Sequence, residues 1–381
     1  MLDTKLFGNS NVDITFLHQQ GPDPFNSTPE RVAQLLDVAG RIAHFIDGAK
    51  TTLEIAIYDM RLSSDAAKIV GDALRAAHAR SVVTRLAYDA ATAGDGSPPP
   101  NHLPDPTDGA GEVLHPPFIG DLATVADVRA IRGFGVLMHN KYIIRDIASA
   151  DAALFMGSAN FTNDSWSLQE NNILFFHSQP FATFYSKNFE ELWARGKVAD
   201  NTSFNDKGTV DIGGVSVSVA FTPGEAQAIV NQMVEVIQNA EHSVQVASVV
   251  ISNRAILTAL IAVLDAGKQL SGIFDGPQMD TVISQWKEGH PDDPRIAQWA
   301  RISAALNRKN SIPYSSTIPN QPHNFMHNKL IVADDNVITG SFNLSRHAMG
   351  NAENVVLIKN KDVADAYRAY LSQIMALYPK K

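Results

Sequence analysis

The chain has 381 residues, 45% hydrophobic and 19% charged, with a formal net charge of −9 and no cysteine. That length exceeds one ordinary hydrophobic core and favours two units, and the composition excludes a disordered or fibrous chain. The lack of cysteine excludes disulfides, thiolate nucleophiles and thiolate metal sites, while the acidic balance weighs mildly against a protein whose main task is tracking a nucleic-acid backbone.

The opening MLDTKLFGNSNVDITF lacks the basic start and apolar run of a signal peptide, and no stretch approaches the roughly eighteen apolar residues of a membrane span. The expectation is a soluble chain, cytoplasmic or, if this is a mature form, secreted. Thr28 precedes Pro29 and Glu30, and Val32, Leu35, Leu36, Ala39, Ile42 and Ile46 follow at helical spacing, predicting an amphipathic helix over 28–50. TTLEIAIYD alternates Leu53, Ile55 and Ile57 as a strand does, 64–79 reads as a second helix, and 82–89 as a second strand. Helices alternating with short apolar strands predict an α/β sandwich. Residues 91–120, rich in Pro and Gly, are too long for a passive connection and read equally well as a lid or a surface excursion.

The same order returns downstream: a helix near 225–240, the strand-like SVQVASVVIS, a helix near 255–266, then LSGIFDG. Pairing Ala49 with Ala240, Asp89 with Asp275 and His139 with His327 gives separations of 191, 186 and 188 residues, the mark of a duplication. Both halves end on aromatic-rich helices, near Trp193 and Tyr378. The polar run GKVADNTSFNDKG divides them into an N-terminal half over 1–196, a linker over 197–210 and a C-terminal half over 211–381.

The chemistry-bearing residues repeat as well. MHNKYIIRD places His139, Lys141 and Asp146 in the pattern H-x-K-x4-D, and MHNKLIVAD repeats it with His327, Lys329 and Asp334. For any one His this pattern arises by chance roughly once in several hundred trials at ordinary residue usage, so two in one chain are not accidental. Each motif is followed by a matched set, Gly157, Ser158 and Asn160 in MGSANFT, and Gly340, Ser341 and Asn343 in TGSFNLS. Ten residues beyond each Asn stands an acid followed by an amide, Glu170-Asn171 and Glu353-Asn354. On a strand, a His and a Lys two apart leave the same face, and a Gly at the end of the next strand lets Ser and Asn approach the ring. Two such sets facing each other suit phosphodiester cleavage with no metal or other cofactor. One neutral imidazole attacks phosphorus, an opposing imidazolium protonates the leaving oxygen, and Lys141, Lys329, Asn160 and Asn343 hold the non-bridging oxygens. His18, His44, His78, His102 and His242 lack such company and read as structural. Phe161 and Trp166 fit either a substrate pocket or the core, and Arg346 and His347 either a head-group contact or an ordinary loop.

The doubled H-x-K-x4-D with its G-S-x-N sequel resembles the phospholipase D superfamily over nearly the whole chain. The resemblance implies a duplicated α/β fold, an α-β-α-β-α sandwich in each of two pseudo-twofold halves, with one active site between them. It also implies a phosphohistidine intermediate with His139 as nucleophile and His327 as acid. Asp146, Asp334, Glu170 and Glu353 would then orient the histidines or brace loops. A phospholipid substrate leads, with head-group hydrolysis or transfer to alcohols and transient contact with a membrane surface. A nucleic-acid phosphodiesterase, a cardiolipin-synthase-like transferase and a non-catalytic scaffold remain as alternatives. Because both motifs lie in one chain, a monomer suffices.

Overall fold

The computed structural model describes residues 7–8, 11–62, 64–89, 122–133, 135–199, 205–314 and 321–380. The stretch 91–120 and the middle of the expected linker lie outside them.

The expected helices form for local reasons. Helix Pro29–Asp47 begins where Thr28, in extended backbone, accepts a hydrogen bond from the Arg31 amide, and it buries Val38, Ala39, Ile42 and Ile46. With the second helix, Ser64–Ala79, it forms a pair matched in the second half by Ala226–Gln238 and Arg254–Asp265, the latter capped by Asn253, which accepts from the amides of Ala255 and Ile256. Two helices were not legible in the sequence, Gly276–Gly289 and Pro294–Ala305, which follow the second half's strand Gln269–Asp275.

Each half builds one eight-stranded sheet in the same order. The first runs Phe7–Gly8, Val12–Leu17, Asn171–His177, Ala153–Gly157, Lys141–Arg145, Thr52–Ile57, Val83–Asp89, Asp127–Ile131. The second runs Gly208–Ile212, Val215–Thr222, Glu353–Lys359, Asn336–Gly340, Lys329–Ala333, Ser243–Ser248, Gln269–Asp275, Asn307–Lys309. In both, the last two junctions are parallel and the rest antiparallel. The ends of the expected linker belong to these units: the Val198 amide donates to the Arg132 carbonyl at 2.8 Å, and Gly208 already opens a strand.

Strand periodicity decides where the core sits. Tyr142 and Ile144 face a core shared by both halves while Ile143 faces an outer one, and Leu330, Val332 and Ile331 repeat the arrangement. The shared core is filled by the terminal helix of each half, Gln179–Arg195 through Phe181, Tyr185 and Phe189, and Lys361–Leu377 through Tyr367, Tyr370 and Ile374. The layers therefore run α-β-α-β-α across the chain, in the duplicated arrangement of two related halves that the resemblance implied. Each sheet needs cover on two faces and takes the inner one from the shared layer. Phe161 and Trp166 pack edge to face at 5.2 Å inside the first outer core, which assigns them to packing. Arg346 and His347 are exposed.

Candidate active site

The motif strands Lys141–Arg145 and Lys329–Ala333 begin at the lysines, so each histidine sits in the segment leading into its strand. Both lead-in segments are clamped by the opposite half. The His139 amide donates to the Ala352 carbonyl and the Ala352 amide to the Leu137 carbonyl, both at 2.8 Å. Likewise the His327 amide donates to the Glu170 carbonyl at 3.1 Å and the Glu170 amide to the Phe325 carbonyl at 3.3 Å. One residue earlier, the Met138 amide donates to Asp89 at 2.7 Å and the Met326 amide to Asp275 at 2.9 Å. Between the motif residues, Asn354 donates to Asn140 at 3.1 Å and Asn172 to Asn328 at 2.7 Å, a crossed pair of amides. These aspartates and amides were missed as functional positions, although Asp89 and Asp275 stood at matched places and both motifs read MHNK.

The glycines work as expected. A Cβ on Gly157 would stand 2.4 Å from the Asn172 carbonyl oxygen, and one on Gly340 (φ 140°) 2.2 Å from that of Asn354. This close approach seats Ser158 and Ser341. The Ser158 hydroxyl accepts from the Asn172 amide and donates to Asn171 Oδ1 at 2.7 Å, and the Ser341 hydroxyl accepts from the Asn354 amide at 3.0 Å. Two residues on, Asn160 Oδ1 and Asn343 Oδ1 are buried with no hydrogen-bond partner among the described residues, at matched positions in the two halves.

The two imidazoles have different partners. His139 Nδ1 lies 2.7 Å from the Glu353 carboxylate and 3.2 Å from the Ser341 carbonyl, and Tyr58 packs on the ring at 4.7 Å. His327 Nδ1 instead meets the Asn171 amide oxygen at 3.0 Å. Matching by sequence paired Glu170 with Glu353, and the structure corrects this. The strand contacts make Asn172 the equivalent of Asn354, so Asn171 answers Glu353, and Glu170 answers Ala352. Residues 170 and 171 point to opposite sides. The Glu170 carboxylate is turned from His327 and held by Lys309 Nζ at 2.5 Å, the Tyr378 hydroxyl at 2.9 Å and the Gln19 amide at 3.2 Å.

Asp146 and Asp334 lie away from the rings. Each takes a left-handed backbone conformation, φ 54° and 46°, and folds its carboxylate under the turn that enters a central strand. Asp146 accepts from the amides of Lys50, Thr51 and Thr52, and Asp334 from those of Glu241, His242 and Ser243. They brace loops. Their carboxyls stay below the usual range despite some burial, because these amides favour the charged form.

Both motif lysines are buried, and each donates back to its own histidine's carbonyl, Lys141 at 2.5 Å and Lys329 at 2.6 Å. Lys141 also lies over the Tyr58 ring at 5.0 Å. Burial lowers Lys141 to about 7 and Lys329 well below its usual value, with the charge of Lys141 pressing on Lys329 further. His327 is likewise pushed well below its usual value by burial and then by the two lysines. Burial drives Glu353 the opposite way, up to about 8, although Lys141 favours its charged form. This is a dry cluster of cationic groups with one carboxylate, and an anion entering it would relieve every one of the lowered values.

The family described as Cardiolipin synthase, PLD-like domain matches residues 42–193 and again 233–375. The phospholipase D of Rickettsia prowazekii (strain Madrid E) is 29% identical over 190 residues, 49% of this chain and 80% of that protein. That of Rickettsia felis (strain ATCC VR-1525 / URRWXCal2) is 31% identical over 155 residues, 40% of this chain and 65% of that protein. Thus the chain spans from just under two thirds to four fifths of these relatives. Among solved structures, the phosphatidylserine synthase of Haemophilus influenzae Rd KW20 superposes with a TM-score of 0.60 at 12% identity, over 94% of this chain and 87% of that one, a likeness of fold. With the family matched in both halves, over most of its length, the chain belongs to the phospholipase D superfamily.

Proposed function

We propose that this protein is a metal-independent phosphodiesterase that removes phospholipid head groups through a covalent phosphohistidine. The observation that carries this reading is the unequal pairing of two opposed histidines, His139 to a carboxylate and His327 to an amide, between two buried lysines. Nε2 of His139 attacks phosphorus. The bond to the leaving oxygen breaks, and that oxygen takes the proton from His327 Nε2. Water, or an alcohol in transfer, then gives its proton to His327 as its oxygen displaces His139 from phosphorus. The phosphorylated ring of His139 carries a positive charge for the life of the intermediate, and Glu353 is positioned to balance it. His327 carries its proton only in passing, for which an amide partner is enough. The incoming phosphodiester anion supplies the counter-charge that lets His327 hold that proton. Lys141, Lys329, Asn160 and Asn343 stabilise the non-bridging oxygens.

The two halves form one site, so a monomer is the working unit. Lipid is favoured over nucleic acid by the net charge of −9 and by relatives named phospholipase D. The test is a substrate panel in EDTA: phosphatidylcholine vesicles, single-stranded and duplex DNA, and RNA. Choline release undiminished by EDTA, with nucleic acids uncut, is expected. Nucleic-acid cleavage without choline release would replace lipid by the nuclease reading, and silence in EDTA would remove the metal-free mechanism.

The pH profile follows from the buried lysines. Lys141, lowered to about 7, loses its proton as pH rises through that value, and a neutral amine holds a phosphodiester anion poorly. kcat/KM measured from pH 6 to 9 is therefore expected to fall by about tenfold per unit on its alkaline side.

A further inference from the structure

Of the five exposed large apolar side chains among the described residues, three gather on one face: Phe25, Val32 and Tyr314, at 55%, 41% and 72% exposure. Single exposed apolar residues need no explanation, whereas a cluster does. Phe25 lies on the boundary of two adjoining grooves of about 320 and 390 Å³, the first also lined by Val32 and Leu35, the second by Ile312 and Pro313. The loop that presents Phe25 is fixed, since its amide donates to Asp23 at 2.9 Å and Arg31 donates to the Pro24 carbonyl at 2.6 Å. Tyr314 is tied to the same face through Gln321, which lines the first groove and donates to the carbonyls of Pro313 and Tyr314 at 3.4 Å.

This face adjoins the reaction centre. The Tyr314 ring stacks on His323 at 5.6 Å, and His323 lies 5.3 Å from Phe325. His323, Phe325 and His327 are alternate residues of the segment that enters the second motif strand, and exposure falls from 72% at Tyr314 to 9% at Phe325. The corresponding residues ahead of His139 are Gly135 and Leu137, neither of which carries a ring.

Charge narrows what the face contacts. The cations that line the grooves are matched, Arg31 to Asp164 at 3.5 Å and Lys309 to Glu170 at 2.5 Å, and the chain carries −9 overall. A polyanion gains little from such a surface, whereas apolar rims with an aromatic hydroxyl suit the boundary between head groups and acyl chains.

We propose that Phe25, Val32 and Tyr314 dock the protein on the surface of a zwitterionic phospholipid bilayer, delivering a head group to His327 and His139 along the Tyr314–His323–Phe325 rings. The proposal rests on the lipid reading and adds where the lipid surface is met. The contact is apolar, so it is insensitive to salt and favours neutral over anionic lipid.

The experiment uses the full chain, the double variant F25S/V32S and the single variant Y314S. Each is measured for co-sedimentation with phosphatidylcholine vesicles at low and high salt, and for turnover of a water-soluble aryl phosphodiester. Expected are vesicle binding weakened about tenfold or more in the double variant and several-fold in Y314S, with soluble turnover of the double variant within about twofold of the parent. Variants that bind vesicles as well as the parent would overturn the proposal, as would parental binding that vanishes at high salt or a parent that cleaves the soluble diester without binding vesicles. A parent that binds vesicles through these residues yet leaves their lipids intact would uphold the docking surface and sink the lipid substrate.

Discussion

His139→Ala is expected to lose at least about 10⁴-fold in turnover and to form no phosphoenzyme, whereas His327→Ala loses comparable turnover but accumulates one. The difference follows from the two Nδ1 partners. On the proposed mechanism, removing His139 removes the atom that bonds to phosphorus together with the ring that Glu353 would balance. Removing His327 leaves attack possible on a diester with a good leaving group, because such a group departs without a proton. Water then attacks slowly for want of a base. A labelled aryl phosphodiester, quenched and run on a denaturing gel kept away from acid, reads the difference directly. Label held by His139→Ala and not by His327→Ala would exchange the two roles. Near-normal turnover in either variant would break the single shared site, which the clamps between Ala352 and His139 and between Glu170 and His327 hold together.

Much of this candidate site is visible in the sequence because the residues proposed to carry the chemistry lie in short motifs whose spacing a strand translates directly into geometry. His, Lys, Ser and Asn recur at fixed separations, and the glycines sit where the backbones touch. The helices over 28–50 and 64–79 were legible from caps and periodicity for the same reason, being local. What was not legible depends on register between segments far apart in the chain. Glu170 and Glu353 stand equally far from their asparagines, yet the first half carries one more residue between Ser158 and the strand Asn171–His177. That slip turns Glu170 away to Lys309 and brings Asn171 to His327. The sequence shows equal spacing, and the sheet decides which face each residue takes. Lys309 itself lies on the short edge strand Asn307–Lys309, beyond two helices that the repeat did not announce. The shared middle layer was equally hidden, because an apolar strand reads the same whether its second face is covered by its own half or by the other.

Glu353→Gln separates function from stability at this centre. Its carboxylate is fully buried, 2.7 Å from His139 and 3.0 Å from the Asn351 amide, with Ser341 also hydrogen-bonded to it. Gln keeps the volume and one acceptor but cannot balance a charged imidazole, and if its NH2 faces the ring it favours the wrong tautomer. Turnover is expected to fall about 10²- to 10⁴-fold, with breakdown of the phosphoenzyme affected less than its formation. Stability should move the other way. Burial raises Glu353 from the ordinary glutamate value to about 8, so the folded state prefers it protonated. The stability gained from that preference is fully present at pH 4 and is lost as pH rises through about 8. Above that pH the protein holds a desolvated carboxylate, and Lys141, lowered to about 7, has by then given up the charge that offset it. Gln removes the ionisation. Thermal denaturation of the two proteins should nearly coincide at pH 5, and the variant should melt higher at pH 9. A variant that melts lower at pH 9 would mean that Glu353 stabilises the fold as an anion. A variant that turns over normally would mean that His139 does not rely on it to bear charge.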